Sequence, residues 1–167
     1  MLADANIQRF NRQQPWMIRE VIRIAKTRFD PLYSDALQEA LTTCLENHSV
    51  VVVHPNKEKS LTAFVLVCPP TTPSADRYGI RTWVQNTPLE IAFCATDVGW
   101  EGRGYARRMF SYILMSAQAA KQGCWLHVDT DNWRARGLYE SLGFKHAVQI
   151  PDPVGSDGVL MRWFPVP

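Results

Sequence analysis

The amino-acid sequence predicts an α/β fold, a mixed sheet flanked by helices, and three observations support this. β-branched and apolar runs typical of strands alternate with stretches in which apolar residues recur at helical spacing. The strand at 89–95 is followed by a glycine-containing loop and a long helix. The strand at 124–129 is followed by a short helix and another strand. Alternation of this kind is typical of a sheet covered by helices.

Several elements are predicted before the glycine loop. The first helix begins near a proline, and Asp30-Pro31 ends it. In order, the elements are a strand at 7–10, a helix at 15–28, a helix from Ser34 or Asp35 with Leu37, Leu41, Cys44 and Leu45 on one face, strands at 49–54 and 61–68 joined by a turn at 55–59, and a Pro- and Thr-containing segment at 69–86 with a candidate strand at 80–84.

The glycine loop Gly102-Arg103-Gly104 lies at the start of the long helix, and this arrangement predicts an anion site. The first backbone N–H groups of a helix have no acceptor within the helix and lie at the positive end of its dipole. Glycines let that backbone approach a phosphate closely. The helix carries an apolar stripe of Ala106, Met109, Phe110, Ile113, Leu114 and Ala117, and positive charge near its start from Arg103, Arg107 and Arg108.

The loop by itself is also compatible with a simple tight turn after a strand. Two other phosphate sites are excluded by the residues present. A dinucleotide-binding fingerprint requires a small residue where Arg107 stands. A Walker loop requires Gly-Lys followed by Ser or Thr, which this segment lacks.

A second cluster occupies residues 132–144. Asn132 is predicted to cap a short helix, and Gly143 is the expected left-handed residue that ends it. Phe144 is predicted to begin the next strand, and closing strands are expected at 145–150 and 158–164. The buried face of the short helix is predicted to consist of Ala135, Leu138, Tyr139 and Leu142.

These two clusters together resemble the GNAT superfamily of N-acetyltransferases. The pattern Asn-x-x-Ala-x-x-Leu-Tyr-Glu-x-x-Gly-Phe at 132–144 resembles its acetyl-CoA-binding signature. The upstream loop resembles its pyrophosphate motif, Gln/Arg-x-x-Gly-x-Gly/Ala, with Gly104 and Ala106 at the two small positions. The resemblance implies one GNAT domain over residues 1–167, with a twisted, mostly antiparallel mixed sheet of six or seven strands and about four helices.

Glu101 departs from the pyrophosphate motif, because it stands where the family has Gln or Arg. Most contacts of such a loop come from backbone N–H groups, so binding is expected to survive this change. A carboxylate close to phosphate is nevertheless unfavourable.

The strand before the loop resembles one branch of the superfamily, whereas the short helix resembles others. Glu90-Ile91-x-Phe93-Cys94-Ala95 is similar to the histone acetyltransferase branch, in which the glutamate is the general base. Tyr139 is similar to the tyrosine that protonates the departing thiolate in other branches. Because the chain combines marks of two branches, the resemblance does not identify the amine that accepts the acetyl group.

The resemblance implies that the chain uses acetyl-CoA (coenzyme A) as its cofactor. A backbone N–H in the stretch 93–96 is implied to stabilise the oxyanion, and Asn132 to bind the pantetheine arm or to cap its helix. The implied cofactor-binding residues are Phe93, Cys94, Ala95, Thr96, Glu101, Gly102, Arg103, Gly104, Tyr105, Ala106, Arg107, Asn132, Ala135 and Tyr139.

Glu90 is the predicted catalytic base because acetyl transfer requires a neutral amine. An alkylamine has a pKa of about 10 and must lose a proton at neutral pH. On a strand Glu90 shares its face with Cys94, while Ile91, Phe93 and Ala95 point the other way. If the latter face is core, Glu90 lies towards the cleft. The alternative for Glu90 is a partly exposed surface glutamate without a catalytic role. The alternative for Tyr139 is an aromatic residue that only packs in the core.

Composition agrees with an intracellular, cytoplasmic enzyme domain. A chain of 167 residues with 46% hydrophobic residues can bury a substantial core. A net charge of +2 does not indicate nucleic-acid binding, and no apolar run suggests a membrane span or signal peptide. The four cysteines show no CxxC pair and are expected to be reduced, and the four histidines lack metal-ligand spacing, so no metal is expected.

The expected acceptor is an amine, a small molecule in preference to a protein lysine. Acetylation of charged tRNA would require a strong basic face, which the balanced charge does not indicate. A catalytically silent acyl-CoA-binding module is the alternative from another class, and homodimer formation is left open. The candidate acceptor residues are Asp30, Asp35, Asp76 and Glu90 for cation attraction and Tyr33, Tyr78 and Trp83 for stacking.

Overall fold

The computed structural model describes residues 7–9, 13–29, 35–47, 49–53, 59–68, 87–150 and 158–167. Within these ranges the chain forms an α/β structure, as the sequence predicts. The elements in chain order are β1 Ile7–Arg9, α1 Pro15–Phe29, α2 Asp35–Asn47, β2 Ser49–Val53, β3 Ala63–Cys68, β4 Leu89–Thr96, α3 Tyr105–Ala119, β5 Cys124–Asp129, α4 Trp133–Ser141, β6 Lys145–Ile150 and β7 Gly158–Trp163. The candidate strand at 80–84 lies outside the described residues.

The strands form a seven-stranded mixed sheet in the order β1-β2-β3-β4-β5-β7-β6. The pairs β1–β2, β2–β3, β5–β7 and β6–β7 are antiparallel, and β4–β5 is parallel. A parallel pair requires a crossover connection, and α3 provides it because it lies between β4 and β5 in the chain. The predicted mixed, mostly antiparallel sheet is confirmed.

The chain comprises two compact units, the first of which contains Met1–Val67 and Phe93–Phe110. Every residue of β3 is buried, and its sequence is an unbroken apolar run. Of the apolar face predicted for α2, Leu41 and Leu45 are buried, whereas Leu37 and Cys44 are half-buried. The core side chains from the helices of this unit also include Met17, Val21, Ile24 and Ala25 of α1 and Met109 and Phe110 of α3.

The second unit contains Cys68–Ala92 and Ser111–Pro167. β5 lies between β4 and β7 in the sheet, which explains its nearly continuous burial. The remaining part of the α3 stripe is buried as predicted. The core side chains of this unit include Ile113, Leu114, Ala117, Cys124, Trp125, Leu126, Val128, Leu160 and Met161.

Element boundaries differ from the predicted ones by one or two residues, because the ends of helices and strands fray. β3 begins at Ala63 and not at residue 61, and β6 begins at Lys145 with buried Phe144 preceding it. Among the described residues, no helix has both the length and the apolar character that a membrane span requires.

Gly158 at the start of β7 is predicted to be intolerant of a side chain. It pairs with Asp129, and an added Cβ would overlap the imidazole ring of His127, its diagonal neighbour on β5. Gly158→Ala therefore forces the ring to move, and overpacking of this kind costs about 1–3 kcal/mol of unfolding free energy. We expect a melting temperature lower by roughly 2–10 °C, measured by differential scanning calorimetry.

Gly137 provides the matched control for this substitution. It lies inside α4, and within the described part of the chain a Cβ there would meet no atom within 4 Å outside the helix backbone. Alanine is favoured over glycine in a helix by roughly 0.5–1 kcal/mol, so Gly137→Ala is expected to raise the melting temperature. Equal shifts of the same sign in both variants would contradict the role assigned to His127.

Candidate active site

Glu90 is buried near the start of β4, with 6% of its surface exposed. The β4–β5 ladder pairs Leu89 with Cys124 and Glu90 with Trp125, and the Leu89 N–H donates to the Gly123 carbonyl oxygen at 3.2 Å. Glu90 therefore lies on the part of β4 that pairs with β5. Its burial excludes the alternative of a partly exposed surface glutamate.

The remaining residues of β4 follow the predicted alternation in part. Ile91 and Ala95 are buried as expected for the core face. Phe93 is only half-buried, and its ring lies 6.3 Å from that of Phe29 at the end of α1, measured between centroids. Phe93 is thus less buried than Ile91 and Ala95 on the same face of β4, and its ring packs towards a helix terminus.

The surroundings of Cys94 oppose activation of its thiol. Desolvation raises the pKa of its thiol to about 12, although the residue as a whole is half-buried. A thiol with such a pKa is protonated at neutral pH, and the thiolate is the reactive form. The protein therefore disfavours a covalent acyl-cysteine mechanism at this position.

We expect Cys94 to resist alkylation in the folded protein. At pH 8 the neutral thiol should react with iodoacetamide at least a hundredfold more slowly than free cysteine, whose pKa is about 8.5. Peptide mass spectrometry after timed quenching measures this rate, with protein unfolded in urea as the control. Rapid labelling of Cys94 accompanied by loss of activity would contradict the assignment.

The loop after β4 has the backbone conformation that its glycines predict. Gly102 and Gly104 have φ values of 72° and 80°, a region that favours glycine. α3 follows at once, and its first turn includes the bond from the Arg108 N–H to the Gly104 carbonyl at 3.1 Å. The N–H groups of Tyr105 and Ala106 precede this bond and have no acceptor within the helix. Among the described residues, no atom beyond the chain neighbours lies within 4 Å of a Cβ placed on either glycine, so the described structure leaves open space beside the loop.

Two of the three arginines near the loop hold the loop itself. Arg108 donates to the carbonyl oxygens of Gly104 and Arg103, at 3.4 and 3.3 Å. Its guanidinium also lies 4.8 Å from the centre of the Tyr105 ring. Arg103 donates to the Gly99 carbonyl at 3.3 Å and lies 4.5 Å from the centre of the Trp100 ring. Their charge remains beside the helix start, while their donors stabilise the loop conformation.

Glu101 is engaged within the loop. Its Oε2 atom accepts a hydrogen bond from the Gly99 N–H at 2.8 Å, and its Oε1 atom lies 2.7 Å from Nη1 of Arg28 on α1. Its own backbone N–H lowers the pKa of the carboxyl group, with further lowering from the Gly99 N–H and the charge of Arg28. The carboxylate is thus ionised at neutral pH and partly neutralised by a specific cation, which the sequence did not reveal.

A second arginine of α1 fixes the start of the loop. Arg23 donates to Asp97 through Nη2 at 2.8 Å and to Glu20 through Nε at 2.9 Å, and Glu20 accepts the Leu61 N–H at 3.1 Å. Sequence analysis missed this cluster, because Arg23 and Asp97 are 74 positions apart.

The same cluster links stability to pH. The hydrogen bond from Arg23 lowers the pKa of Glu20 below its ordinary value of 4.5. The resulting stabilisation is present above pH 4.5 and is lost as the pH falls through the lowered pKa.

α4 has the termini that its sequence predicts. The Asn132 side chain accepts the Ala135 N–H at 3.2 Å, and Gly143 has a φ of 98°. At the other end, the Phe144 N–H donates to the Tyr139 carbonyl and the Gly143 N–H to the Glu140 carbonyl, both at 3.0 Å. This pair of bonds is a Schellman motif, in which the flanking apolar residues usually touch. The rings of Tyr139 and Phe144 accordingly lie 6.0 Å apart between centroids.

The predicted burial of the α4 face is only partly correct. Ala135, Leu138, Tyr139 and Leu142 are all half-buried, and no residue of α4 is fully buried. The helical spacing correctly identified which face of α4 points inward, but it does not determine how completely other residues bury that face. Tyr139 keeps some exposure while its ring is held by the Schellman contact.

The predicted site residues are distributed over both units. Phe93–Thr96, the loop and Arg107 belong to the first, and Glu90, Asn132, Ala135 and Tyr139 to the second. Of the candidate acceptor residues, Asp35 is exposed at the start of α2. Asp30, Tyr33, Asp76, Tyr78 and Trp83 lie outside the described residues.

The profile of the Acetyltransferase (GNAT) family matches residues 18–144, which include both predicted motifs. The chain belongs to the GNAT acetyltransferase family. Family membership confirms the predicted enzyme class, an acetyltransferase, and the predicted cofactor, acetyl-CoA. The glycine loop is consistent with this cofactor, because amides at a helix start and open space beside Gly102 and Gly104 suit a phosphate group.

Solved GNAT structures share this fold at low sequence identity. Ard1 from Thermoplasma volcanium is 22% identical, with 96% of this chain and 97% of that one covered and a TM-score of 0.69. The ribosomal-protein-S18-alanine N-acetyltransferase from Escherichia coli is 16% identical, with 95% and 92% covered and a TM-score of 0.71. The aminoglycoside 6'-N-acetyltransferase from Enterococcus faecium is 14% identical, with 96% and 97% covered and a TM-score of 0.71. No curated protein matches the chain by sequence.

Proposed function

We propose that this single-domain GNAT enzyme transfers the acetyl group of acetyl-CoA to a primary amine, with Glu90 as general base and Tyr139 as general acid. One observation carries the assignment of chemistry. Glu90 is a buried carboxylate on the strand that runs directly into the phosphate loop. Removal of a proton from the amine is a step that this family's reaction requires, and a carboxyl group buried on this strand is suited to it.

Glu90 accepts the proton of the incoming ammonium group, directly or through a water molecule. An alkylamine with a pKa of about 10 is neutral in only about one molecule in a thousand at pH 7. The bound thioester supplies an electrophilic carbonyl carbon and a thiolate leaving group. The neutral nitrogen would bond to the carbonyl carbon while the carbon–sulfur bond breaks, and the Tyr139 hydroxyl would donate its proton to the departing sulfur. The second proton of the nitrogen would restore Tyr139 through solvent, and Glu90 would release its proton to solvent, so that both residues return to their starting states.

Backbone N–H groups of Phe93–Thr96 are assigned to stabilise the oxygen that gains negative charge. The short β4–β5 ladder supports this assignment, because it pairs Leu89 and Glu90 while β4 continues to Thr96. The N–H groups at the start of α3 are assigned to the pyrophosphate, and Asn132 and Ala135 to the pantetheine arm.

The proposed acceptor is a small-molecule primary amine. Exposed Asp35 supports a cationic ligand, since acidic groups raise the local concentration of cations. The fold similarity to an aminoglycoside acetyltransferase is compatible with this acceptor.

A peptide amine is the second candidate, and two of the structural neighbours are compatible with it. They are the S18-alanine N-acetyltransferase and the Arabidopsis thaliana Naa50 bound to a bisubstrate analogue, CoA-Ac-MVNAL. The strand around Glu90 also resembles the histone acetyltransferase branch.

Mass spectrometry of a mixed amine panel tests the proposal. Purified protein is incubated with acetyl-CoA and polyamines, amino acids, aminoglycosides, histone-tail peptides and peptides with free N-termini, with Glu90→Gln protein as the matched control. The expected result is one small amine that gains 42 Da only with the wild-type protein, the mass of an acetyl group replacing a proton. A peptide product would replace the small-amine assignment with the second candidate.

Calorimetric titration with coenzyme A completes the test. Tight binding without any acetylated product would favour a catalytically silent binding module over an enzyme with these acceptors. Absence of binding would overturn the assignment of the phosphate loop.

A further inference from the structure

The negative charge of Glu101 is expected to repel the phosphates of a cofactor bound at this loop. A carboxylate that is ionised at neutral pH lies four positions before the first residue of α3, where the proposed function places a pyrophosphate. Like charges at such a distance weaken binding, and exposure to solvent reduces the effect without removing it. The side chain of Glu101 is 40% exposed.

Both carboxylate oxygens of Glu101 have partners that offset its negative charge. One carboxylate oxygen accepts the Gly99 N–H at 2.8 Å, so the side chain closes the loop on itself. The other oxygen lies 2.7 Å from Nη1 of Arg28, in the last turn of α1. The Glu101 carboxylate is therefore held by the Gly99 N–H within the loop, and Arg28 of α1 compensates its negative charge.

We propose that Arg28 is a positioning residue of the phosphate loop, which holds and neutralises Glu101 so that the amides at the start of α3 can accept the cofactor's phosphates. This inference rests on the proposed function, because it assigns a role within the same cofactor site. Arg28 acts through Glu101 and does not need to touch the cofactor. The requirement for Arg28 follows from the acidic residue at position 101.

A double-mutant cycle tests this dependence. Arg28→Gln removes the cation, and Glu101→Gln removes the anion while keeping an oxygen that can accept the Gly99 N–H. We expect Arg28→Gln to raise the dissociation constant of coenzyme A about tenfold by calorimetry. In protein that already carries Glu101→Gln, the same change should alter it less than about twofold. Glu101→Gln alone should bind coenzyme A at least as tightly as the wild type.

Kinetics separate this role from a general structural one. With acetyl-CoA, Arg28→Gln should raise KM about tenfold and leave kcat nearly unchanged. With S-acetylpantetheine, which lacks the pyrophosphate and the nucleotide, it should leave kcat/KM unchanged. The melting temperature should change little, because exposed ion pairs contribute little to stability. Arg28→Lys should restore most of the affinity, since it restores the charge.

Arg19 provides the control for loss of charge from the same helix. It is exposed on α1, and Arg19→Gln should leave coenzyme A affinity unchanged. Equal weakening by Arg28→Gln in both backgrounds would show a direct contact with phosphate and overturn the proposal. No effect in either background would overturn it as well. Failure of the wild-type protein to bind coenzyme A is a different result, because it would refute the proposed function itself.

Discussion

Glu90→Gln is expected to lower kcat/KM for the amine by about a hundredfold to a thousandfold at pH 7, the range typical of losing a general base. The substituted side chain has nearly the same shape, so the buried position on β4 can accommodate it. The variant protein should fold and bind coenzyme A with unchanged affinity. The measurement is steady-state kinetics with the acceptor identified by the amine panel.

The pH dependence of the Glu90→Gln defect gives the sharper readout. At pH values near the amine pKa of about 10, the substrate loses its proton without help. The ratio of wild-type to variant kcat/KM should therefore decrease as the pH rises from 7 to 9.5. Asp129→Asn, which alters an exposed carboxylate at the end of β5, should leave kcat/KM unchanged at every pH. A defect below threefold, or one that does not depend on pH, would be incompatible with Glu90 as the base.

Tyr139→Phe is expected to lower kcat by about ten- to a hundredfold, because the departing thiolate loses its proton donor. The substitution removes only the hydroxyl group. The ring contact with Phe144 and the backbone bonds of the Schellman motif should persist, so the melting temperature should change by only about 1 °C. Rapid-quench or steady-state kinetics at saturating acetyl-CoA measures the loss.

Two further variants separate the hydroxyl group from the ring of Tyr139. Tyr139→Ala removes the contact with Phe144 as well, and it should lower both kcat and the melting temperature. Tyr112→Phe changes another half-buried tyrosine, on α3, and should leave kcat unchanged. If Tyr139→Phe retains full kcat, Tyr139 is only the packing residue of the α4 terminus.

The sequence was informative wherever a local signal dictates local geometry. The glycine loop adopts positive φ at Gly102 and Gly104, and Gly143 ends α4 in the same way. Asn132 caps its helix as predicted. These features depend on residues within about five positions of one another, and steric restriction of the backbone decides them.

The degree of burial was less predictable. Alternation along β4 correctly placed Ile91 and Ala95 in the core, but it did not predict that Glu90 would be buried as well. The apolar face of α4 was identified, although its coverage was overestimated. A periodic pattern shows which side chains share a face of a helix or strand. How deeply that face is buried depends on which other elements pack against it.

The sequence by itself determined the family, the order of the elements and the backbone conformation of the loop, because each follows from short-range patterns. Only the tertiary structure decided the partners of the charged residues. Arg28 and Glu101 are 73 positions apart in the chain, and Arg23 and Asp97 are 74 apart. Such pairs carry no local signal, since a charged side chain can be solvated equally well on any exposed surface. Folding brings α1 to the loop after β4, and this proximity selects the arginine that neutralises Glu101.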